Sequence, residues 1–341
     1  MRILIITDAW FPQVNGVVRT LNAVTRELRR NGHEVDLITP EGRQGFPFPL
    51  YREITITRTS ANQIGAEIDA IKPDAIHIAT EGTLGWAGRR ACLNRKLPFT
   101  TSFHTMFAEY ASARIPLPGV AALGWQILRH FHKHGHAVMV PTASIGQQLI
   151  DRKFANVKIW SRGVDRSVFK PFERDHLNFP RPILLYAGRL SVEKNIEAFM
   201  KLTCAGTKVL AGDGPERAAL QAKYPEAKFL GYLHGEDLAR TYASADVMVF
   251  PSRTDTFGLV MLEAMASGTP VAAYDVPSAV DVVSNGVTGC LDDDLNKAVE
   301  RALKLDRVKV EEASHKYSWE KTTAMFYDWL MPMDAAAKAA E

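Results

Sequence analysis

The sequence predicts an α/β protein built from two doubly wound parallel-sheet domains. A chain of 341 residues is too long for one typical domain and suits two. Each half opens with a short apolar run, 2–6 and 183–187, that reads as a buried parallel strand leading through a loop into a helix. A proline-containing stretch, 172–181, reads as the linker between the halves. Hydrophobic residues at 46% and charged residues at 23% are typical of a globular protein.

The two halves differ in charge. Residues 1–170 carry a net charge of +9 and the remainder carries −6, within an overall charge of +3. A basic half beside an acidic half indicates that one half faces an anionic partner.

Cysteine usage and hydropathy indicate a cytoplasmic protein. The three cysteines, Cys92, Cys204 and Cys290, offer neither a disulfide framework nor metal-ligand spacing, so we expect a reducing compartment. The first apolar run is too short for a signal peptide. No apolar run reaches the roughly 18–20 residues that a membrane span needs.

The first 40 residues read as strand, loop, helix and strand. The first loop of such a βαβ unit is a favoured ligand site, and it contains Gly16. A lone glycine is not the G-x-G-x-x-G fingerprint of dinucleotide binding, so a nicotinamide dehydrogenase is disfavoured. Farther on, His77 lies inside an apolar strand, 74–79, and is predicted to be a packed core histidine. The strand 99–104 delivers His104 to its C-terminal end, where sheets of this class bind ligands.

Residues 113–136 combine an apolar helix with a basic end. No charge occurs over 117–128, which contains Trp125, and then Arg129, Lys133 and four histidines follow. Four apolar residues recur at helical spacing on one face: Val120, Leu123, Ile127 and Phe131. Such a helix suits a membrane interface with anionic lipid. The alternative is a core helix with a solvated basic end.

The second half opens with two cations placed around a helix start. Arg189 and Lys194 lie five positions apart just after the strand 183–187. Both can reach one diphosphate, because arginine binds phosphate oxygens bidentately and lysine acts as a point charge. The alternative is a structural ion-pair role. Two such cations can stabilise a leaving diphosphate without Mg²⁺, so we expect neither a metal nor a cofactor.

The stretch 251–271 contains a second group of candidate ligands. A buried strand ends before it, and a helix is expected over about 259–267. The unpaired amides around Phe257, Gly258 and Leu259 would suit a phosphate. The carboxylates of Asp255 and Glu263, on either side of the helix start, can accept hydrogen bonds from ribose and sugar hydroxyls. The chemistry that we infer is sugar-nucleotide binding, with two solvated carboxylates as the alternative.

This stretch resembles the E-x7-E signature of the retaining glycosyltransferases of family 4, here with Asp255 in the first position. The match extends over FG-x-x-x-x-E-A-x-A-x-G-x-P-V. Other segments resemble the same family in order along nearly the whole chain. They are S-x-H-T at His104, G-V-D-x-x-x-F-x-P at 163–171 and G-R-L-x-x-x-K-N at 188–195.

The resemblance implies the GT-B fold, with two Rossmann-like domains facing a central cleft. The first would span 1–170, completed by a C-terminal helix at 319–335, and the second 171–318. It also implies hexose transfer from a nucleotide sugar with retained anomeric configuration. Arg189 and Lys194 would hold the diphosphate and Glu263 the ribose. Asp255 and the Phe257–Leu259 backbone would hold the sugar, with Gly16 and His104 contributing from the first domain. The catalytic residues would be His104, Asp255, Arg189 and Lys194.

The T-D-T-F-G form of the motif is similar to the branch that includes mannosyl-, glucosyl- and glucuronosyl-transferases acting on diacylglycerol. The resemblance therefore implies a glycolipid synthase, peripheral on the inner face of the cell membrane, with UDP-sugar favoured over GDP-sugar as donor. The expected partners are a lipid acceptor and an anionic membrane surface, not nucleic acid. Residues expected on the acceptor or membrane side are Tyr110, Trp125, Arg129 and Lys133. A soluble or polysaccharide acceptor stays open, as does a non-catalytic nucleotide-sugar sensor. A sugar-nucleotide epimerase on the same fold is disfavoured.

Overall fold

A computed structural model describes residues 1–13, 15–48, 51–114 and 117–334, apart from the side chains of 48, 51–54, 110, 111, 113 and 114. The chain forms two compact units. Unit 1 comprises Met1–Ser161 and the C-terminal segment from Trp319, and unit 2 comprises Arg162–Ser318. The division falls at 161 rather than at 170, because Val164 and Phe169 already pack in the core of unit 2.

Unit 1 contains a six-stranded parallel sheet and a separate antiparallel hairpin. Its strands are β1 (Arg2–Ile6), β2 (Glu34–Ile38), β3 (Gly45–Phe48), β4 (Tyr51–Thr57), β5 (Ala75–Ile78), β6 (Thr100–Ser102), β7 (Val138–Val140) and β8 (Val157–Ile159). Its first helices are α1 (Gly16–Arg30), α2 (Ala61–Ile71), α3 (Thr83–Arg95), α4 (Phe107–Arg114), α5 (Val120–His132) and α6 (Ala143–Asp151). The strand order β2-β1-β5-β6-β7-β8 puts the topological switch point between β1 and β5.

The opening βαβ unit shows how the sequence pattern becomes packing. Strand β1 is apolar without alternation because helices cover both faces of a parallel sheet, and its residues 3–6 are fully buried. Helix α1 begins after Asn15, whose side-chain oxygen accepts the amides of Val17 and Val18 at 3.0 Å. The helix buries the apolar residues that recur at helical spacing: Val18, Leu21, Val24 and Leu28.

Unit 2 repeats the architecture with a second six-stranded parallel sheet. Its strands are β9 (Ile183–Ala187), β10 (Thr207–Ala211), β11 (Lys228–Gly231), β12 (Val247–Phe250), β13 (Val271–Ala273) and β14 (Gly289–Leu291). Its helices are α7 (Ile196–Met200), α8 (Arg217–Lys223), α9 (Gly235–Ser244), α10 (Leu259–Ala266), α11 (Pro277–Val280), α12 (Leu295–Ala302) and α13 (Arg307–Ala313). The order β11-β10-β9-β12-β13-β14 puts the switch point between β9 and β12.

The last helix, α14 (Trp319–Trp329), returns to unit 1. Its Phe326 is fully buried, with its ring 4.9 Å from Trp160 and 4.8 Å from His77. The indole of Trp160 donates a hydrogen bond to the carbonyl of Thr322 at 3.1 Å. These contacts make α14 part of the first core rather than a free tail.

Two doubly wound parallel sheets are the fold class that the sequence predicts, and the structure confirms it. His77 is fully buried and hydrogen-bonded, as expected for a core histidine. Across the described ranges, no helix is both long enough and apolar enough to cross a lipid bilayer.

Candidate active site

The two loops that flank the switch point of unit 2 carry most of the predicted donor residues. One loop follows β9 and contains Arg189 and Lys194, the second of which ends a 3₁₀ turn over Val192–Lys194. The other follows β12 and contains Asp255 and the start of α10. Ligands of doubly wound sheets bind at the carboxyl ends of the strands beside the switch point. The parallel sheet therefore positions these residues where such a ligand is expected.

Hydrogen bonds join the two loops directly. The side-chain amide of Asn195 donates to the carbonyl of Pro251 at 3.0 Å, and the hydroxyl of Thr254 donates to the carbonyl of Glu193 at 3.3 Å. These bonds fix the position of one loop against the other, so the predicted ligands on both loops form one site.

Lys194 and Asp255 form a direct ion pair, in which the ammonium donates to a carboxylate oxygen. The lysine side chain is 25% exposed and the aspartate side chain 11%. The sequence assigned these residues to different parts of the donor, the diphosphate and the sugar. In the structure the two side chains neutralise each other.

Helix α10 begins at a glycine with no side chain to cap it. Gly258 has φ +80°, and a Cβ built there would lie 2.8 Å from the ring of Phe250 and 2.9 Å from Met261. Only glycine fits this left-handed, crowded position. Gly258 offers no side-chain cap, so the amides at the start of the helix, which begins at Leu259, suit an external anion. Phe257, just ahead, is buried in the core.

Glu263 lies on α10 and is only 6% exposed. One of its carboxylate oxygens accepts the hydroxyl of Tyr242, a fully buried residue of α9, at 3.1 Å. A buried carboxylate needs hydrogen-bond donors, and Tyr242 supplies one. Sequence reasoning missed Tyr242. The one available signal was a tyrosine in an otherwise small-residue helix end.

Two glycines of the loop after β10 let that loop contact the loop of Arg189. A Cβ on Gly212 would lie 1.9 Å from the carbonyl oxygen of Gly188, and one on Gly214 would lie 2.3 Å from that of Leu190. Arg189 itself is half-buried, and its carbonyl accepts the hydroxyl of Tyr186 at 2.7 Å. The glycines of this G-D-G sequence therefore allow the loop to pack directly against the loop that contains Arg189, the predicted diphosphate ligand.

In unit 1, His104 follows β6 and is 9% exposed. Its Nε2 lies 2.9 Å from the hydroxyl of Ser102. The same hydroxyl lies 3.0 Å from Nε2 of His77, and Nδ1 of His77 lies 2.9 Å from the hydroxyl of Thr100. The two histidines therefore share a serine, a connection that sequence reasoning did not foresee.

Gly16 is the first residue of α1 and follows the loop after β1. It lies beyond a different strand from His104, with β5 between β1 and β6 in the sheet. The side chain of Asn15 accepts the amides of Val17 and Val18, so these two amides are already used within the helix start.

Asp8 is a second residue that sequence reasoning missed. It follows β1 and accepts the amides of Leu84 and Gly85 at 2.8 and 3.1 Å, so it caps α3 from a distant part of the chain. Two threonine hydroxyls also donate to it. Burial raises the pKa of Asp8 even though these four hydrogen bonds lower it.

The residues expected on the acceptor or membrane side differ in their exposure and in their contacts. Tyr110 lies in α4, and its side chain is outside the described residues. Trp125 is half-buried, donates its indole N–H to Glu109 at 3.1 Å and carries the Arg152 guanidinium 4.3 Å from its ring centroid. Its polar end is therefore used within unit 1 rather than presented to an interface.

Arg129 and Lys133 are exposed on α5 and its C-terminal end. The expected apolar face is divided, because Leu123 and Ile127 are 59% and 48% exposed while Phe131 is fully buried. The cause is a close helix contact, in which a Cβ on Gly124 would lie 3.0 Å from Ala108.

Comparison with known sequences covers both units. The family described as Glycosyltransferase Family 4 matches residues 14–168, and Glycosyl transferases group 1 matches residues 181–305. A GDP-mannose-dependent alpha-mannosyltransferase of Mycolicibacterium smegmatis is 34% identical over 318 residues, 85% of this chain and 84% of the relative. An alpha-monoglucosyldiacylglycerol synthase of Streptococcus pneumoniae is 27% identical over 89% of this chain and 78% of its own.

A solved structure with the same fold is sucrose-phosphate synthase from Thermosynechococcus elongatus, with a TM-score of 0.79, 21% identity and full coverage of both chains. Its fold is GT-B, which agrees with the two doubly wound units. The family matches and the identity to the mannosyltransferase show that this chain belongs to glycosyltransferase family 4 and is a hexosyltransferase that uses a nucleotide sugar.

Proposed function

We propose that this enzyme transfers a hexose, with retention of configuration, from a UDP- or GDP-sugar to a membrane lipid. The acceptor lipid that we propose is diacylglycerol. The observation that carries the acceptor assignment is the exposed pair Leu123 and Ile127 on α5, beside Arg129 and Lys133. Apolar residues bordered by cations suit the surface of a membrane that contains anionic lipid.

The donor assignment is supported by the cluster at the switch point of unit 2. Arg189, Lys194 and the amides at the start of α10 are the donors that a diphosphate requires. On donor binding, Lys194 would turn from Asp255 to a phosphate oxygen, and Asp255 would accept hydroxyls of the sugar. Glu263 would accept the ribose hydroxyls.

The transfer is a substitution at the anomeric carbon. The acceptor hydroxyl forms the new C1–O bond on the face from which the nucleoside diphosphate departs, and its proton passes to the departing phosphate oxygen. Arg189 and Lys194 stabilise the negative charge that develops on the diphosphate. This set of cations supports a reaction without a metal ion.

Further support for a lipid acceptor comes from exposed apolar residues beyond strand ends in unit 1. Phe11 follows β1 and is 51% exposed, and Phe46 lies in the hairpin after β2 and is 47% exposed. Both come after the carboxyl ends of strands. The relative from Streptococcus pneumoniae is named for a glucosyldiacylglycerol product. We propose that the enzyme acts as a peripheral protein at the inner face of the membrane.

The test is nucleotide release from UDP-glucose, UDP-glucuronate and GDP-mannose, with diacylglycerol in anionic vesicles as acceptor. GDP-mannose is included because the 34% identical relative is named for it. We expect release that requires the vesicles, persists in EDTA and disappears in Arg189→Ala and Glu263→Ala. Release that is indifferent to lipid would assign a soluble acceptor, and donor binding without release would indicate a sensor.

A further inference from the structure

A polar cavity of about 680 Å³ lies in unit 1, beyond the carboxyl end of β2, the edge strand of the parallel sheet. Its walls are formed by the segment after β2, the segment after β4 and the first two turns of α2. None of the described residues that line it was predicted to bind the donor, the acceptor or the membrane. A cavity of this size accommodates a small molecule rather than a single ion.

Arg43 is fixed in the wall of this cavity by three hydrogen bonds. Its Nε donates to the carbonyl of Thr39 at 2.9 Å, and its two terminal nitrogens donate to the two carboxylate oxygens of Glu67 at 2.9 and 2.5 Å. Among the described residues of the lining, Glu67 is the acidic one. The bidentate pair neutralises both charges, so Arg58 carries the uncompensated charge of the cavity.

Other polar groups of the lining are hydrogen-bond donors. Arg58 is exposed, and no carboxylate of the described residues pairs with it. The hydroxyl of Thr59 is buried and has no hydrogen-bond partner within the described structure. The side-chain oxygen of Gln63 accepts the backbone N–H of Ser60 at 2.9 Å, so the N–H groups of its amide are not needed for this cap. Donors around one uncompensated cation suit an oxyanion.

We propose that this cavity binds the phosphate ester of a small polyol. The guanidinium of Arg58 donates to two phosphate oxygens, and the Gln63 amide donates to a third. Rotation about χ1 of Thr59 turns its hydroxyl from a buried position without a partner to the same phosphate. The rest of the volume holds the polyol. The site requires neither a sugar donor nor a transfer step, so it goes beyond the proposed function.

Calorimetric titration of the full chain with glycerol 3-phosphate tests the site. The Arg189→Ala background removes a predicted diphosphate ligand of unit 2 from the measurement. We expect one equivalent to bind, and uncharged glycerol not to bind. Arg58→Ala should weaken binding about tenfold and Thr59→Val about threefold, because each removes a donor to the phosphate. Glu67→Gln should strengthen binding about threefold, because it leaves the charge of Arg43 uncompensated.

Arg90→Ala is the matched control. Arg90 is an exposed arginine of α3 in the same unit, and it does not line the cavity. This variant removes the same charge and should keep the affinity for glycerol 3-phosphate within about twofold, since salt screens distant exposed charges. Arg58→Ala should unfold at the wild-type temperature, because its side chain is exposed and unpaired among the described residues.

A phosphate ester of glycerol is also the headgroup of an anionic phospholipid, so flotation with phosphatidylglycerol vesicles separates the two sources. Weaker flotation of Arg58→Ala than of Arg90→Ala would assign the lipid headgroup as the ligand. Equal flotation of the two variants, with glycerol 3-phosphate binding lost in Arg58→Ala, would assign a free ester. The proposal would be overturned if glycerol 3-phosphate did not bind, or if Arg58→Ala and Arg90→Ala bound it equally well.

Discussion

The pairing of Lys194 with Asp255 makes a prediction about donor binding. A diphosphate must compete with the Asp255 carboxylate for the Lys194 ammonium. Removing the carboxylate should therefore strengthen diphosphate binding, and removing the ammonium should weaken it. We expect Asp255→Asn to bind free UDP or GDP about threefold more tightly and Lys194→Ala to bind it about tenfold more weakly, as measured by calorimetry.

The same two variants separate binding from turnover. Asp255→Asn should lower kcat although it binds nucleotide better, because it weakens the contact to the sugar. Lys223→Ala is the control, since Lys223 is an exposed cation of unit 2 paired with Glu197. Weaker nucleotide binding in Asp255→Asn would show that the pair does not compete with the diphosphate.

Tyr242 is expected to stabilise the buried carboxylate of Glu263. Tyr242→Phe removes one donor to that carboxylate, so the free energy of unfolding should fall by about 1 kcal/mol and nucleotide affinity should fall several-fold. Tyr224→Phe is the matched control, because Tyr224 also donates to a glutamate, Glu197, at 2.9 Å but at a site that is only partly buried. Denaturant titration should find the control within about 0.5 kcal/mol of the wild type. Equal losses in both variants would contradict a special role for Tyr242.

Asp8 should make stability depend on pH in an unusual direction for a carboxylate. Its pKa is raised in the folded state, mainly by burial, so the folded state binds its proton more tightly than the unfolded state, whose ordinary pKa is 3.8. Its contribution is complete below 3.8 and is lost as the pH rises through the higher folded pKa. In denaturant titrations, the stability of the wild type relative to Asp8→Asn should therefore fall between pH 4 and pH 7. A rise over that range would contradict the raised pKa.

Sequence reasoning reached the residues that motifs mark and missed those that packing creates. Arg189, Lys194 and Glu263 were selected because each lies beside a strand end or helix start in a recognisable spacing. The pairing of Lys194 with Asp255 joins residues 61 apart, and the cap from Asp8 to Leu84 spans 76. No local pattern encodes such contacts, because they depend on how strands align in the sheet.

Among the secondary-structure elements, the start of α10 is constrained both by its backbone conformation and by its packing. Gly258→Ala adds a Cβ at φ +80° and within 3 Å of Phe250 and Met261. Gly286 has φ +81° with nothing within 4 Å of the added atom, so Gly286→Ala isolates the backbone strain. We expect the free energy of unfolding to fall by about 1 kcal/mol in Gly286→Ala, because alanine is strained in a left-handed backbone conformation.

The free energy of unfolding should fall by about 1 kcal/mol more in Gly258→Ala than in Gly286→Ala, because overpacking a core destabilises it further. Gly258→Ala should also weaken nucleotide binding, since the first-turn amides shift with the glycine, whereas Gly286→Ala should not. Thermal unfolding with and without UDP measures both effects. Equal stability losses in the two variants would show that the crowding at Gly258 is relieved without cost.

In helix α5, the periodicity of apolar residues predicts the helix but not its buried face. Its apolar residues were correctly placed on a helix, but their spacing could not tell which of them face the core. The contact of Gly124 with Ala108 of α4 turns Leu123 and Ile127 outward, and Phe131 enters the core. The basic end at Arg129 and Lys133 is therefore next to an exposed apolar pair rather than to a buried stripe.

For the whole molecule, the charge asymmetry and the exposed pair on α5 lead to one prediction about membranes. Residues 1–170 carry a net charge of +9, so binding to vesicles should require anionic lipid and weaken with salt, since salt screens exposed charges. The acidic remainder of the chain, at −6, should not be drawn to the same surface.

Charge alone would give weak vesicle binding that salt removes. Apolar side chains that insert into the bilayer add binding free energy that salt does not screen. Leu123→Ser with Ile127→Ser should therefore lower the vesicle partition coefficient about tenfold or more, because each large apolar side chain contributes roughly 1–2 kcal/mol when buried. Val308→Ser is the control, since Val308 is 65% exposed on α13 of unit 2. Flotation with anionic and neutral vesicles measures both effects. Unchanged flotation of the double variant would mean that this face of α5 does not insert, and lipid-dependent turnover would then need another contact.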